Sequence, residues 1–324
     1  MTDIFRKFNT LNILIIGDVM MDSYLWGAVE RISPEAPVPV VSVRKRENRL
    51  GGAANVALNI QSLGSKPIVC SVIGKDAEGL AFLHLLEEHD LSAEGIITVP
   101  GRPTTVKTRV IGQNQQMLRI DEETDTLLPP DQTEQLLSKI KKIISSTPIH
   151  AIIFEDYDKG VISEDLIYQV VEEAKARQII TVVDPKKRNF LNYSGVTLFK
   201  PNLKELREGL KVEINMLDNN ELEAAAGQIK DHLQADYVMV TLSERGVFMQ
   251  SNDRKEIIPA HIRKIADVSG AGDTVIATAA VCMASGLDMF KTAAVANLAG
   301  GLVCEHVGVV SINKEQLLNE SLKL

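Results

Sequence analysis

The chain has few cysteines, no long apolar run and no excess of positive charge, and each shortage closes off a class of protein. Its three cysteines, Cys70, Cys282 and Cys304, stand far apart in apolar surroundings without a C-x-x-C pair. Buried thiols are therefore expected, not a disulfide framework or a zinc site. The six histidines show no H-E-x-x-H pattern, and His84 and His89 fall on an expected helix as surface residues. The first apolar stretch, ILIIG at 13–17, is cut at once by Asp18, too short for a membrane span or a secretory leader. These features point to the cytoplasm, with no membrane partner. With 35 Lys and Arg against 43 Asp and Glu, the net charge is −8. Nucleic acid is excluded as a general partner, because phosphate-backbone affinity needs clustered cations. A small positive pocket for one phosphorylated metabolite remains compatible.

What is present is ample material for a core: 45% of 324 residues are hydrophobic. Short β-rich runs at 13–17, 67–74, 151–155, 179–184, 196–199 and 237–241 read as buried strands. Amphipathic helices lie between several of them, such as 163–178 with Ser163 as N-cap. This alternation implies an α/β fold of three layers, α/β/α, around a mostly parallel sheet. Ligands of such sheets bind at the carboxyl ends of the strands. That rule puts Gly17, Asp18, Glu155, Asp156, Asp184 and Asn202 at one rim. Two segments break the alternation. Residues 22–50 include SPEAPVPVVSV, too rich in proline for a helix, and 102–121 read as two β runs joined by a polar turn. They are expected to form a small β lid within a single domain spanning 1–324. The tail from Ile312 reads as a closing helix.

Several motifs admit both a structural and a chemical reading. In GGAANVALN (51–59), Gly51 and Gly52 permit close approach of backbone to a ligand, and Asn55 needs a hydrogen-bond partner if buried. Asp18 could accept bonds from sugar hydroxyls or simply serve a turn. Asn202 and Glu205, three residues apart at a helix start, suit a hydrated Mg²⁺ or a capping box. The stretch VTLSERG (240–246) could line a nucleotide or turn a hairpin. In DVSGAGD (267–273) a glycine-rich turn enters an apolar helix, so the amides of 270–273 converge where an anion would sit. Asp273 is then a carboxylate beside an anion site, which favours a functional role.

GGAANVALNIQSLGSKPIVCSVIG and DVSGAGD, in this order with NLKE and TLSERG between them, resemble the two signatures of ribokinase-type (PfkB-type) sugar kinases. The resemblance runs from end to end and implies a ribokinase-like sandwich. Within the family, RISPEAPVPVV, VDPK and the DYDKG loop resemble kinases that phosphorylate D-glycero-D-manno-heptose 7-phosphate at O1. Those kinases serve ADP-heptose synthesis and are often fused to a nucleotidylyltransferase. No H-x-G-H motif is present, so the resemblance implies a stand-alone kinase or a kinase half.

Carried over residue by residue, the resemblance implies Asp273 as catalytic base and the amides of Gly270, Ala271 and Gly272 as anion hole. It implies ATP and Mg²⁺ as cofactors, with a monovalent cation as a further candidate. Asn202 and Glu205 would organise Mg²⁺ through water, and Thr241, Ser243, Gly246 and Asn297 would line the nucleotide pocket. Asp18, Gly51, Gly52 and Asn55 would hold the sugar, and Lys107, Arg109, Lys159 and Lys186 are candidates for the 7-phosphate. Kinases of fructose 6-phosphate or tagatose 6-phosphate, and a sensing pseudokinase, are the competing readings. Asp158 stands where these heptose kinases are expected to carry glycine, adding negative charge near the proposed phosphate site. The lid's exposed β edges imply a homodimer.

Overall fold

A short helix, α1 (Thr2–Lys7), leads into β1 (Asn12–Gly17) in the computed structural model, which describes residues 1–113, 115–215 and 218–324. Strand β1 is apolar on both faces: Ile13 and Ile15 enter one core, Leu14 and Ile16 the other. Alternate side chains of a strand point to opposite faces, so such a run must lie between two layers. The chain continues through β2 (Val19–Ile32), β3 (Pro39–Gly52), α2 (Ala53–Ser62), β4 (Lys66–Gly74) and α3 (Ala77–Glu88). Next come β5 (Ile96–Val99), β6 (Val106–Gly112), β7 (Gln115–Glu122), α4 (Pro130–Ser146), β8 (Ala151–Glu155) and α5 (Glu164–Ala176). Then follow β9 (Ile180–Asp184), β10 (Leu198–Phe199), α6 (Leu203–Leu210), α7 (Asn219–Leu233) and β11 (Tyr237–Thr241). The chain closes with β12 (Val247–Gln250), β13 (Lys255–Ile258), α8 (Ala271–Ala284), α9 (Met289–Val303) and α10 (Lys314–Ser321).

Among the described residues, nine strands form one sheet in the order β13-β12-β11-β10-β9-β8-β1-β4-β5. From β11 to β5 every pairing is parallel, and β12 and β13 extend the sheet antiparallel. Residues of α1, α2, α3, α8 and α9 pack in one core, and those of α4, α5, α6 and α7 in the other. This is the expected three-layer sandwich. The expected strands form within one residue of their bounds, except that 196–199 shortens to β10. Ser163 caps α5 by accepting the Leu166 N–H at 3.3 Å. Cys70, Cys282 and Cys304 are buried free thiols. Among the described residues no helix is long and apolar enough to cross a membrane.

The segments expected to form a lid pair as a second sheet, β3-β2-β6-β7. Its register makes the two faces unlike. Asp22 stands opposite Arg49 and Lys107, with Asp121 beyond; two residues on, Tyr24 stands beside Arg109 and Arg119. The alternate positions carry Leu25, Val110 and Leu118 in one row, and Ser23, Thr108 and Ile120 in the next. On β3 these two rows carry Arg46 and Asn48, so alternation gives one charged face and an opposite face that is polar toward β3 and apolar toward β7. The polar turn expected between β6 and β7 includes Asn114, which lies outside the described residues.

The sheets meet where β1 ends. A Cβ on Gly17 would lie 2.0 Å from the Glu155 carbonyl oxygen of β8, so no larger residue fits without moving backbone. Gly17→Ala is expected to cost about 1–3 kcal/mol. The loss would be read as a lower urea midpoint at unchanged slope; an unchanged midpoint would contradict this packing.

Candidate active site

The parallel strands β1, β8, β9 and β10 end side by side, delivering Asp18, Glu155, Asp156, Asp184, Lys200 and Asn202 to one rim. Helix α8 begins over that rim. Its N-cap, Gly270, has φ +78°, and a Cβ there would sit 3.2 Å from Asn55 Nδ2 and 3.1 Å from Val309 Cγ1. Both the left-handed backbone and the space call for glycine. Ala271 N–H donates to the Val268 carbonyl at 3.3 Å. Among the described residues the amides of Gly270, Gly272 and Asp273 donate to no other group, so of the three expected amides only Ala271 is already engaged.

Asp273 is buried, and its two carboxylate oxygens are held from two directions. Asn55 Nδ2 donates to Oδ2 at 2.6 Å, and the Tyr157 hydroxyl donates to Oδ1 at 2.9 Å. Burial pushes the Asp273 pKa up to about 6, against the lowering effect of those two hydrogen bonds; Asp184 adds to the rise and Lys200 offsets it. Asn55 itself stands on α2, where one turn further Asn59 accepts from Thr274 Oγ1 at 3.0 Å and so ties α2 to α8. The partner that a buried Asn55 requires is thus the Asp273 carboxylate.

Around this group lies a dense set of charges. Lys200 pairs with Asp184 at 2.7 Å, and Lys186 pairs with Glu205 while its ammonium sits 5.3 Å from the Tyr157 ring centroid. Burial would lower the Lys186 pKa, but Asp184 and Glu205 hold it above its ordinary value. Glu155 is buried beside them with Oε2 lacking a hydrogen-bond partner. Burial, then Asp184 and Asp273, push its carboxyl well above the usual range.

The remaining expected residues divide by location. Asn202 and Glu205 make the reciprocal capping box of α6: Glu205 N–H donates to Asn202 Oδ1 and Asn202 N–H to Glu205 Oε2, both at 2.8 Å. Thr241 pairs with Asn202 in an isolated bridge. Ser243 and Gly246 follow in the turn to β12, where Gly246 abuts the Ile258 carbonyl, and Asn297 Nδ2 donates to the Pro259 carbonyl at 2.9 Å. These four residues therefore gather at one end of the rim. At the other end stand Gly51 and Gly52, with Arg109 paired to Asp22, and Lys107 and Lys159 both on Glu123. Lys186 lies apart from those lysines, with Glu205 under Tyr157.

Asp18, expected to face a sugar, has its carboxylate taken up by backbone. Tyr157 and Lys159 N–H donate to Oδ2 at 2.8 and 3.1 Å, and Val161 N–H to Oδ1 at 3.1 Å. It anchors the 157–161 loop. Asp18 meets Gly52 and Ala53 through its backbone carbonyl, and the aspartate whose side chain borders Gly51, at the end of β3, is Asp22, whose Oδ2 lies 2.5 Å from the place of a Gly51 Cβ. Sequence reading passed over it because it sits inside a strand. Tyr157 was missed as well, because the EDYDKG stretch draws notice for its charges. Asp158 does adopt φ +56°, the backbone suited to glycine, and its Oδ2 accepts from Arg188 N–H at 3.3 Å.

Against this geometry, a family model described as pfkB family carbohydrate kinase matches residues 10–316. The chain belongs to that family. It is 42% identical over 308 residues to the bifunctional protein HldE of Methylobacillus flagellatus, covering 95% of this chain and 62% of that one. It is 38% identical over 306 residues to HldE of Helicobacter hepaticus, covering 94% and 63%. The chain thus spans a little under two thirds of these curated relatives. By structure it is similar to phosphofructokinase-2 from Escherichia coli in complex with potassium (TM-score 0.80, 18% identity, 97% and 98% covered). It is also similar to Arabidopsis thaliana ribokinase complexed with ribose and ATP (TM-score 0.74, 16% identity, 97% and 99% covered). A ribokinase-like fold and a carbohydrate kinase are what these likenesses establish.

The raised pKa makes Asp273 a charge that this kinase holds at the expense of stability. A carboxyl whose folded pKa lies above its unfolded value weakens folding as pH rises from about 4 through about 6. Asp273→Asn is therefore expected to be more stable than the parent at pH 8, by up to roughly 3 kcal/mol, with the gain vanishing near pH 4. Urea unfolding at both pH values checks this, and equal stability at pH 8 would contradict it.

Proposed function

We propose that the kinase transfers the γ-phosphoryl group of ATP to O1 of D-glycero-D-manno-heptose 7-phosphate, giving the 1,7-bisphosphate for ADP-heptose. That product serves as precursor of lipopolysaccharide core or S-layer glycan. One observation carries the reaction type: a buried carboxylate, Asp273, held at the N-terminus of α8 beside unpartnered first-turn amides. Asp273 takes the proton from the sugar hydroxyl as its oxygen attacks the γ-phosphorus, the bond to the bridging oxygen breaks and ADP leaves, and the amides of Gly270, Gly272 and Asp273 receive the developing charge. A pKa near 6 leaves the base ionised at neutral pH yet basic enough to accept that proton. The name HldE on the similar relatives, together with the lysine pair at the Gly51–Gly52 end, supports a phosphorylated heptose as acceptor.

The residues fit a hydrated Mg²⁺. Among the described residues no three His, Cys, Asp or Glu side chains are grouped to hold an ion alone. The carboxylates Glu155, Asp184, Glu205 and Asp273 nevertheless outnumber Lys186 and Lys200, and one Glu155 oxygen is without a partner. Magnesium keeps much of its water shell, so Asn202 and Glu205 would hold it through water together with ATP. When bound it supplies charge neutralisation for the transferring phosphoryl group. Thr241, Ser243, Gly246 and Asn297 would line the nucleotide. The second sheet would act as a lid that keeps water from the reacting groups.

The apolar patch on the lid's second face supports a homodimer. Leu118 and Ile120 are 57% and 45% exposed, and Met117 and Val43 extend the patch. Leu118→Arg is expected to shift sedimentation from dimer to monomer; an unchanged dimer would place the contact elsewhere. The function itself is tested by ADP release across phosphosugars. Heptose 7-phosphate should give the highest kcat/KM, and a higher value with fructose 6-phosphate or tagatose 6-phosphate would overturn the substrate. Asp273→Asn should lose about 10²–10⁴-fold in kcat with KM little changed, and near-normal kcat would remove Asp273 from the role of base.

A further inference from the structure

The two lysines proposed for the substrate phosphate share one internal anion. Lys159 Nζ lies 2.7 Å from Glu123 Oε1, and Lys107 Nζ lies 2.8 Å from Glu123 Oε2. Both lysine side chains are less than a fifth exposed, at 18% and 16%. Burial alone would raise the Glu123 pKa, yet the two ammonium groups hold it below the ordinary range. A phosphate group presents the same feature to two lysines: oxygens separated by one central atom, each accepting a charge-assisted bond. Neighbouring Asp121 differs from Glu123. It also touches Lys107, at 3.3 Å, but Arg119 grips both its oxygens at 2.9 Å. Among the described residues Glu123 pairs with the two lysines only, just past the end of β7 where the chain leaves the sheet.

Position reinforces the chemistry. Lys107 is opposite Asp22 in the lid register, on the same charged face, and the Asp22 side chain borders Gly51 at the end of β3. The backbone of Lys159 is fixed by Asp18 and by the Arg102 guanidinium, which donates to the Lys159 carbonyl. One lysine therefore stands on the lid and the other on the main sheet's rim, with Glu123 joining them.

We infer that Glu123 is a specificity-determining residue that occupies the phosphate position of the empty enzyme, so that a substrate phosphate binds by displacing this carboxylate from Lys107 and Lys159. The exchange sets a threshold. An anion that gains only the two lysines does little better than Glu123, whereas a phosphosugar also gains the contacts of its sugar. Inorganic phosphate is thereby kept from the site, and the lysines are held in place without a ligand. This rests on the proposal that Lys107 and Lys159 receive the phosphate, which Lys107→Ala tests separately.

The experiment measures KM for heptose 7-phosphate and for ATP, kcat, and binding of inorganic phosphate by titration calorimetry. It uses the full chain, Glu123→Gln, Glu123→Asp and Lys107→Ala, with thermal unfolding as the check on folding. Two partly exposed ion pairs predict that Glu123→Gln lowers KM for the phosphosugar about three- to tenfold. Inorganic phosphate should bind more tightly by a similar factor, while kcat and KM for ATP stay unchanged. Glu123→Asp, too short to reach both lysines, should move in the same direction. Lys107→Ala should raise phosphosugar KM and leave that for ATP alone. If Lys107→Ala raises that KM but neither Glu123 variant lowers it, the inference fails and the phosphate site stands. If Lys107→Ala leaves it unchanged, both fall. A rise in phosphosugar KM in Glu123→Gln would also overturn the inference, showing that the carboxylate organises the site.

Discussion

A carboxylate held out of water by hydrogen bonds from two separate elements is the constraint around which this molecule is built. Asp273 belongs to α8, Asn55 to α2 and Tyr157 to the loop after β8, and their bonds of 2.6 and 2.9 Å meet at one group. None of the three elements can shift without leaving a buried polar group unsatisfied, which is more destabilising than the bond itself is stabilising. Asn59 repeats the tie between α2 and α8 one turn further along. Asp18 fixes the loop that carries Tyr157 through three backbone amides. Gly270 brings the α8 turn against Asn55 because it has no side chain to intervene. Stability is given up locally so that one carboxylate stays basic, and two large cores on either side of the sheet keep the fold intact.

The second constraint is that the cations near the site are already paired. Arg109 is with Asp22, Lys186 with Glu205, Lys200 with Asp184, and Lys107 and Lys159 with Glu123. An unpaired buried cation would be costly, and each of these lysines and arginines has a carboxylate of the protein beside it. On the proposed assignment of Lys107 and Lys159, phosphate binding is an exchange of partners rather than neutralisation of a bare positive pocket. A chain of net charge −8 can in this way accept phosphorylated ligands without a basic surface.

Much of the fold was legible because it rests on local pattern. Continuous apolar runs marked the parallel strands, three prolines marked the connection between the first two strands of the second sheet, and Ser163 marked the start of α5. The rim followed from the rule that such sheets bind ligands at their carboxyl ends. The side-chain partners were not legible, because they join residues more than a hundred positions apart: Asn55 with Asp273, and Tyr157 with Asp18 and Asp273. Asn202 and Glu205 illustrate the limit well. Their spacing fits both a capping box and a metal site, and the box is formed in full. Asp18 and Asp22 are four residues apart, yet one turns into a loop and the other into the lid. Only the strand register separates them.

The central claim is that Asp273, ionised above about pH 6, takes the substrate proton. The pH dependence of kcat/KM tests it most directly. The account predicts a plateau at neutral pH and a tenfold loss per pH unit below about pH 6 as the carboxylate becomes protonated. A rate that stays level from pH 8 down to pH 5 would contradict it.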